Sequence, residues 1–308
     1  MKHTQVLAFS MVLGLILIGS ATPARSQDLS EAAIFATNSA RIENGAQVES
    51  GSVVVNDFSP GPTLSTNGEE LVVNKDALIA GDAIADSIQK HNTAIIGGSV
   101  ECNALDSSGV SCGGLSLPVI LTLPPFFTAN IPGGAPDVTV ARAETVSIDA
   151  GDYADIVVAD GAPNGSIPGG KLIFTGGVYN IGSLLSKDRS TLEFAAPTEL
   201  RIQGLFATGK DSTAGPTGSA TAETIILYVA VTNLDPADPR SKPAAATVGG
   251  TFAGNIYAPN GTIVLGNASD STGAYLGLDV WVEKNATVNV GTGFPRIDPP
   301  GPTPTAPT

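Results

Sequence analysis

The segment at 254–280 nearly repeats itself, and this repeat constrains the fold more than any other feature of the chain. GNIY at 254–257 returns nineteen residues later as GAYL at 273–276, and each copy opens a short apolar run. A strand that buries only one side is unstable alone, but a repeat of about 20 residues lets each turn of chain stack on the previous one. The interval therefore predicts successive coils of a solenoid.

Related units at other points of the chain extend this pattern. They lie at 81–84, 151–154 and 177–180, and short apolar runs and Asn-Gly, Asp-Gly or Gly-Gly turn signals follow them. We predict a right-handed parallel β-helix, in which inward side chains form ladders and glycine supplies positive φ at the corners. A β-sandwich or jelly roll would also show many short strands, and it remains the alternative.

The composition supports an all-β protein. The chain has 36 glycines and 22 prolines, and only 14% of its residues are charged. Such a mixture is poor in helix formers and rich in turn residues. The alanine-rich stretch 74–92 could form a helix, but Gly81 lies in its middle and the repeat unit lies within it. We therefore expect coil strands there.

The two ends of the chain differ from the part between them. Residues 1–26 have a basic start, an apolar run at 6–18 and small residues at positions 24 and 26, which predicts a signal peptide. Residues 27–294 are expected to form one β-helix domain, and 295–308 a proline-rich tail. The proline-rich segment 117–136 is expected to lie along the rod. We expect an extracellular or cell-surface protein, with the periplasm as the alternative.

The acidic charge limits the choice of partners. The whole chain carries a formal charge of −14, and residues 1–26 contain Lys2 and Arg25 but no acid, so the mature chain has −16. A surface of this sign repels phosphate backbones and disfavours nucleic-acid binding. No second apolar run is long enough to predict a transmembrane segment in the mature chain.

Two cysteines predict a covalent cross-link. Cys102 and Cys112 flank a short polar loop in a chain that we expect to be exported to an oxidising compartment. A disulfide between them would stabilise the fold by about 2–3 kcal/mol.

Two stretches resemble known β-helical modules. GNIYAPNGTIVLGNASDSTGAYLGLDVWVEKNATVNVG at 254–291 resembles the C-terminal β-helical modules of secreted, surface and pilus-associated bacterial proteins. NSARIENGAQVESGSVVVND at 38–57 is similar to the coils of polymer-forming, bactofilin-like β-helices. The resemblance implies a structural or adhesive extracellular role, and it transfers no catalytic residue.

Candidate catalytic residues are sparse. Asp152 and Asp155, three residues apart around Tyr153, are the best candidate acid pair, although the more ordinary interpretation places them in solvent at a coil corner. A Ser-His-Asp triad would depend on His91, and no nucleophile-elbow or phosphate-binding motif accompanies it. The sequence therefore favours a protein that is not an enzyme.

Binding sites of three kinds have weaker support in the sequence. Trp281 and Tyr275 could stack on sugar rings, although Tyr275 fits a core position. Calcium is possible but unsupported: 233–239 and 267–273 offer oxygen ligands without a calcium repeat, so no cofactor is predicted. A regular T-x-T ladder, which ice-binding solenoids need, is not visible.

These observations lead to two functional hypotheses. The first is a non-enzymatic structural or adhesive protein that associates with itself or with a surface or matrix polysaccharide or protein, since open coil ends offer unpaired backbone groups. The alternative is a polysaccharide-active enzyme or glycan-binding module on a β-helix.

Overall fold

The computed structural model describes residues 29–56, 63–64, 70–106, 123–233, 238, 240, 243–291 and 294. The predicted signal peptide, the tail, Cys112 and part of the 117–136 segment lie outside these residues. The domain boundaries therefore remain predictions.

The described residues form β-strands and two short 3-10 helices, Leu29–Glu31 and Ala222–Thr224. In chain order the strands are β1 (Ala32–Ile42), β2 (Gln47–Val48), β3 (Ser52–Val55), β4 (Leu71–Val73), β5 (Leu78–Ile79), β6 (Ala83–Ile84), β7 (Ser87–Lys90), β8 (Ile95–Ile96), β9 (Val100–Glu101), β10 (Ala104–Asp106), β11 (Val138–Val140), β12 (Thr145–Ile148), β13 (Gly151–Val158), β14 (Lys171–Phe174), β15 (Gly177–Ser186), β16 (Thr191–Phe194), β17 (Thr198–Ile202), β18 (Phe206–Thr208), β19 (Thr213–Pro216), β20 (Ile225–Val229), β21 (Ala246–Val248), β22 (Thr251–Ala253), β23 (Asn255–Leu265), β24 (Asp270–Thr272), β25 (Tyr275–Val282) and β26 (Thr287–Asn289).

The strands build two parallel sheets, one of 16 strands and one of 10. Each strand pairs in parallel with its counterpart in a neighbouring coil, as β13 does with β15 and β23 with β25. A sandwich or jelly roll is built from antiparallel strands, so that alternative was wrong. The all-β solenoid of stacked parallel strands is confirmed, and its right-handedness remains a prediction.

One coil passes over three faces. The first half of β15 pairs with β17 and its second half with β18, which separates a first face from a second face within the larger sheet. The ten-stranded sheet forms the third face, with one strand from each coil in the order β12-β14-β16-β19-β22-β24-β26-β2-β5-β8.

The spatial order of the coils departs from the order of the chain. β1 lies between β25 and β4, and β2 lies between β26 and β5. Residues 29–106 therefore form one run of coils and residues 138–291 another, and the first coil of the chain contacts the last. The sequence repeat had suggested that every coil stacks on its predecessor, and at this junction that expectation was wrong.

A recurrent turn leads from the second face into the third. Its tip is a left-handed residue two positions before the strand, such as Asp76 at φ 57°, Arg189 at φ 58° and Asn285 at φ 57°. The next residue is a small buried one, Ala77, Ser190 or Ala286 in these turns. Left-handed residues other than glycine are uncommon, and all six among the described residues stand at this corner, two positions before a third-face strand.

The core lies inside the coils and consists of inward ladders. Phe174 and Phe194 are register partners in β14 and β16, and their rings stack at 5.1 Å. Tyr179 is fully buried, and its hydroxyl donates to the carbonyl of Ile148 at 3.1 Å. Ladders of this kind remove large apolar side chains from water and favour the stacked state.

The first face is covered on its outside. A second apolar cluster lies there and includes Phe35, Tyr257 and Leu276, with Phe126 packed against it. The Phe126 ring meets the rings of Tyr228 and Tyr257 edge-on at 5.8 and 5.3 Å. Residues 123–127 thus shield part of the first face from solvent.

Phe126→Ala is expected to destabilise the protein by about 2 kcal/mol, because it removes two edge-on aromatic contacts and uncovers apolar surface. Urea denaturation followed by circular dichroism would measure the loss. The matched control is Phe127→Ala, because Phe127 is 38% exposed and makes one edge-on contact, with Tyr228 at 5.2 Å, so its removal should cost less. An equal loss in both variants would contradict the role given to Phe126.

The protein is expected to lose stability in alkali between pH 10 and pH 12. Burial, reinforced by Glu199, raises the pKa of Tyr228 from 10.0 to about 12, and burial also raises the pKa of Tyr257. The folded state thus favours the neutral phenol, so its stabilisation is complete below pH 10 and is lost as the pH rises towards 12. Urea midpoints across this range would show the decline, and Tyr228→Phe should reduce it, while the raised pKa of Tyr257 continues to contribute.

Candidate binding surface

The three faces differ in how much of each remains open. The second face is crossed near β1 by Leu64, whose backbone N–H donates to Ser39 Oγ at 3.0 Å. Near β23 it is crossed by Asn233, whose Nδ2 donates to Thr262 Oγ1 at 2.7 Å. The outward residues of the third face are mostly exposed or half-buried. The third face is therefore open to solvent along the described strands from β12 to β26.

A column of threonines runs along this face. The outward residue at the start of each strand aligns in register from β12 to β26. Five of these seven aligned positions are threonine, and each threonine is exposed or half-buried. In spatial order the column is Thr145, Lys171, Thr191, Thr213, Thr251, Asp270 and Thr287.

The sheet fixes the spacing and direction of these side chains. Strands in a parallel sheet lie about 4.8 Å apart, so hydroxyls in adjacent coils repeat at about that distance. The residues that follow point inward and are buried, as Leu192 and Phe252 show. Threonine is stiff about χ1 in a strand, so each presents a hydroxyl and a methyl group in a restricted orientation.

The second outward column is mixed. Lys171 in the first column and Glu193 in the second form an ion pair at 2.6 Å, which offsets their charges. Asp270 is the other charged residue at the outward positions from β12 to β26. The second column reads Ser147, Ile173, Glu193, Gly215, Ala253, Thr272 and Asn289. The third face from β12 to β26 thus carries mostly short side chains and little charge.

The other end of the third face becomes apolar beyond β2. Gln47, Leu78 and Ile95 continue the first column in β2, β5 and β8. Ile95 is 60% exposed. The outward positions of the described third-face strands carry no aromatic ring, because Phe174, Phe194 and Phe252 all point into the core.

The threonine column was not predicted from the sequence. The coils differ in length, so the threonines follow at irregular intervals: 22 residues separate Thr191 from Thr213, and 38 separate Thr213 from Thr251. A T-x-T ladder does not arise, because the second column contains one threonine, Thr272, and the first-column residue of that strand is Asp270. The available signal was a small buried residue, an outward threonine and an inward residue, as in Ser-Thr-Leu at 190–192 and Ala-Thr-Val at 286–288.

The candidate acid pair does not form a shared site. Asp152 accepts a hydrogen bond from Asn180 Nδ2 at 2.7 Å. Its strand β13 crosses a corner, so that Asp152 lies on the first face and Asp155 on the second. Both side chains are exposed. A catalytic role for this pair remains a prediction without further support.

The two candidate sugar-binding aromatics occupy different environments. Tyr275 is completely buried, and burial raises its pKa well above the usual value. Its ring is therefore unavailable to a sugar, and that assignment was wrong. Trp281 is half-buried on the second face, between Val264 and Arg41 in register. Its binding role remains a prediction.

The remaining predicted sites receive only partial tests. Cys102 is fully buried, while its predicted disulfide partner Cys112 lies outside the described residues. Asn233 uses its side-chain oxygen to accept from the Thr262 backbone at 2.8 Å. No group of three or more metal-binding side chains occurs in the described residues. Nor do these residues include a helix long and apolar enough to cross a membrane.

Comparison with known proteins finds low structural likeness and no related family. Neither a protein-family model nor a curated protein matches the chain. An ice-binding protein from an Antarctic biological consortium aligns with TM-score 0.36 and 12% identity, over 93% of this chain and 95% of that chain. The Shewanella frigidimarina ice-binding protein_1 DUF3494 domain aligns with TM-score 0.35 and 13% identity, over 87% and 95%.

A third solved structure, an ice-binding protein from an Antarctic Flavobacteriaceae bacterium, aligns with TM-score 0.29 and 13% identity, over 85% of this chain and 96% of that chain. Similarity at this level does not identify a ligand. The ligand has to be inferred from the geometry of the third face.

Proposed function

We propose that this is a secreted, non-enzymatic adhesion protein whose third face binds ice. The observation that carries the proposal is the column of aligned threonines from Thr145 to Thr287. Ice is a periodic surface of water molecules that donate and accept hydrogen bonds. A threonine hydroxyl does both, and the sheet repeats it at about 4.8 Å intervals over Thr191, Thr213 and Thr251. Lys171 and Asp270 separate these three from Thr145 and Thr287.

Two further properties of the third face suit ice. A rigid sheet holds the side chains in place before binding, so little conformational entropy is lost on contact. Charged side chains keep their own hydration, and in this stretch they are restricted to the Lys171–Glu193 pair and Asp270. The methyl groups of threonine add apolar contact between the hydroxyls.

Other regular surfaces fit less well. Binding to a crystalline polysaccharide usually exploits aromatic faces against sugar rings, and the described outward positions of the third face are without them. Trp281 lies on the second face instead. A matrix or self-adhesive role remains the broader form of the proposal, and an extracellular location accords with it.

The direct test is uptake of the labelled mature chain, from Gln27, into a slowly growing ice hemisphere. We expect enrichment in the ice and a measurable thermal hysteresis at micromolar concentration. Serum albumin is the control for trapping. Exclusion from the ice to the same degree as albumin, without hysteresis, would reject ice as the ligand.

A further inference from the structure

The rod consists of two runs of coils that meet at one seam. Residues 29–106 form the N-terminal stack and residues 138–291 form the C-terminal stack. In the described chain these stacks share two strand pairings, β1 with β25 and β2 with β26. Within each stack, by contrast, coils follow one another in chain order.

The seam is as fully bonded as the interior of either stack. The Glu43 backbone N–H donates to the Val282 carbonyl at 2.9 Å, and that of Gln47 donates to the Ala286 carbonyl at 2.8 Å. Asn38 Nδ2 donates to Asp279 Oδ1 at 2.7 Å. Asp279 is 2% exposed. A buried carboxylate that accepts a hydrogen bond from the opposite stack makes the pairing at the seam specific as well as stable.

The segment that connects the two stacks is longer than the distance it has to span. The first described residues after the N-terminal stack are anchored on the C-terminal stack, where Phe126 contacts Tyr228 and Tyr257. About five coil spacings separate β10 from that anchor, which is about 24 Å. The predicted Cys102–Cys112 disulfide would hold Cys112 near the N-terminal stack, which leaves residues 113–122 to span this distance, and ten residues can extend to about 33 Å.

We infer that the seam also closes between two copies of this chain, giving a domain-swapped dimer. The N-terminal stack of each copy would then pair through β1 and β2 with β25 and β26 of the other copy. The contacts are the same in both forms, because the seam residues are identical, and only the path of the connecting chain differs. Exchange of an identical element in this way is a low-cost route to a dimer.

The protein concentration during folding determines whether the closed monomer or the swapped dimer forms. The connecting chain gives the two stacks an effective concentration on the order of millimolar. Chains that fold in dilute solution should therefore close on themselves, and chains that fold near that concentration should swap. Exchange of one form for the other requires the seam hydrogen bonds to break together, which is an unfolding step with a high barrier, so the form adopted during folding should persist after dilution.

The test begins with the wild-type mature chain, refolded from denaturant at about 1 µM and at about 1 mM protein, a range chosen around the millimolar effective concentration. Size-exclusion chromatography with light scattering measures the dimer after dilution to one common concentration. We expect at least tenfold more dimer from the concentrated sample. Absence of a dimer after concentrated refolding would overturn the inference.

A cross-link then distinguishes swapping from simple association. Gln47 and Thr287 are register partners across the seam, and parallel neighbours lie within disulfide range. In the double variant Gln47→Cys with Thr287→Cys, oxidation of the swapped dimer should link two chains covalently. The double variant Gln47→Cys with Leu78→Cys is the control, because both residues belong to the N-terminal stack and should link only within one chain.

Peptide mapping by mass spectrometry separates these engineered links from any that involve Cys102 or Cys112. A dimer in which the engineered link across the seam stays within one chain would show that two closed copies associate through another surface, which would also overturn the inference. Neither outcome depends on whether the third face binds ice.

Discussion

Thr213→Tyr should reduce thermal hysteresis at least tenfold while leaving the fold intact. Thr213 lies in the middle of the threonine column, exposed, with Thr191 and Thr251 as its register partners. A tyrosine ring would project above the plane of the short side chains and hold the ice surface away from the neighbouring threonines. Because the contact is extended and periodic, one protrusion disturbs several coils at once.

The matched control for this variant is Thr139→Tyr. Thr139 is also an exposed outward threonine, but its strand β11 belongs to the second face. Both variants should unfold within about 0.5 kcal/mol of the wild type, as exposed substitutions usually do. Full hysteresis in Thr213→Tyr, or the same loss in both variants, would show that the third face is not the ice-binding surface.

The repeat at 254–280 predicted the coil but not the position of each aromatic side chain. Ile256 and Tyr275, nineteen residues apart, are register partners in β23 and β25, so the interval was the length of one coil. Tyr257 lies one residue further along and on the outside of the sheet, where Phe126 covers it. A shift of one residue along a strand moves a side chain to the opposite side of the sheet. Similar residues at similar intervals in the sequence therefore do not occupy the same environment.

The junction between the first and last coils could not be predicted. Inward and outward patterns state which side of a strand is buried, but they do not state which coil lies beside it. β1 would satisfy its inward ladder equally well at an open end. Its partner β25 is more than 230 residues away in the chain, as the Ala40–Val280 pairing shows. Specific contacts such as Asn38 to Asp279 decide the pairing.

The positive φ expected at corner glycines also appeared elsewhere. The turns before the third face are made by Asp76, Arg189 and Asn285, among other left-handed residues that are not glycine. Gly81 and Gly273 show no positive φ. Their role is different: successive coils bring backbone against backbone at these corners, which leaves no room for a side chain.

Gly273→Ala should accordingly destabilise the protein by about 2–4 kcal/mol, the range of severe overpacking. A Cβ at this position would overlap the carbonyl oxygen of Gly254 in the neighbouring coil and lie 2.8 Å from its carbonyl carbon. Backbone atoms cannot turn aside as a flexible side chain can, so the two coils would have to separate at the corner and weaken the pairing of Ile256 with Tyr275.

Urea denaturation measures this loss, and Gly133→Ala provides the control because a Cβ there meets no atom within 4 Å. We expect Gly133→Ala to remain within about 0.5 kcal/mol of the wild type. If Gly273→Ala were equally stable, the corners would be looser than the structure places them. The repeated glycine would then serve the flexibility of the chain rather than the close stacking of its coils.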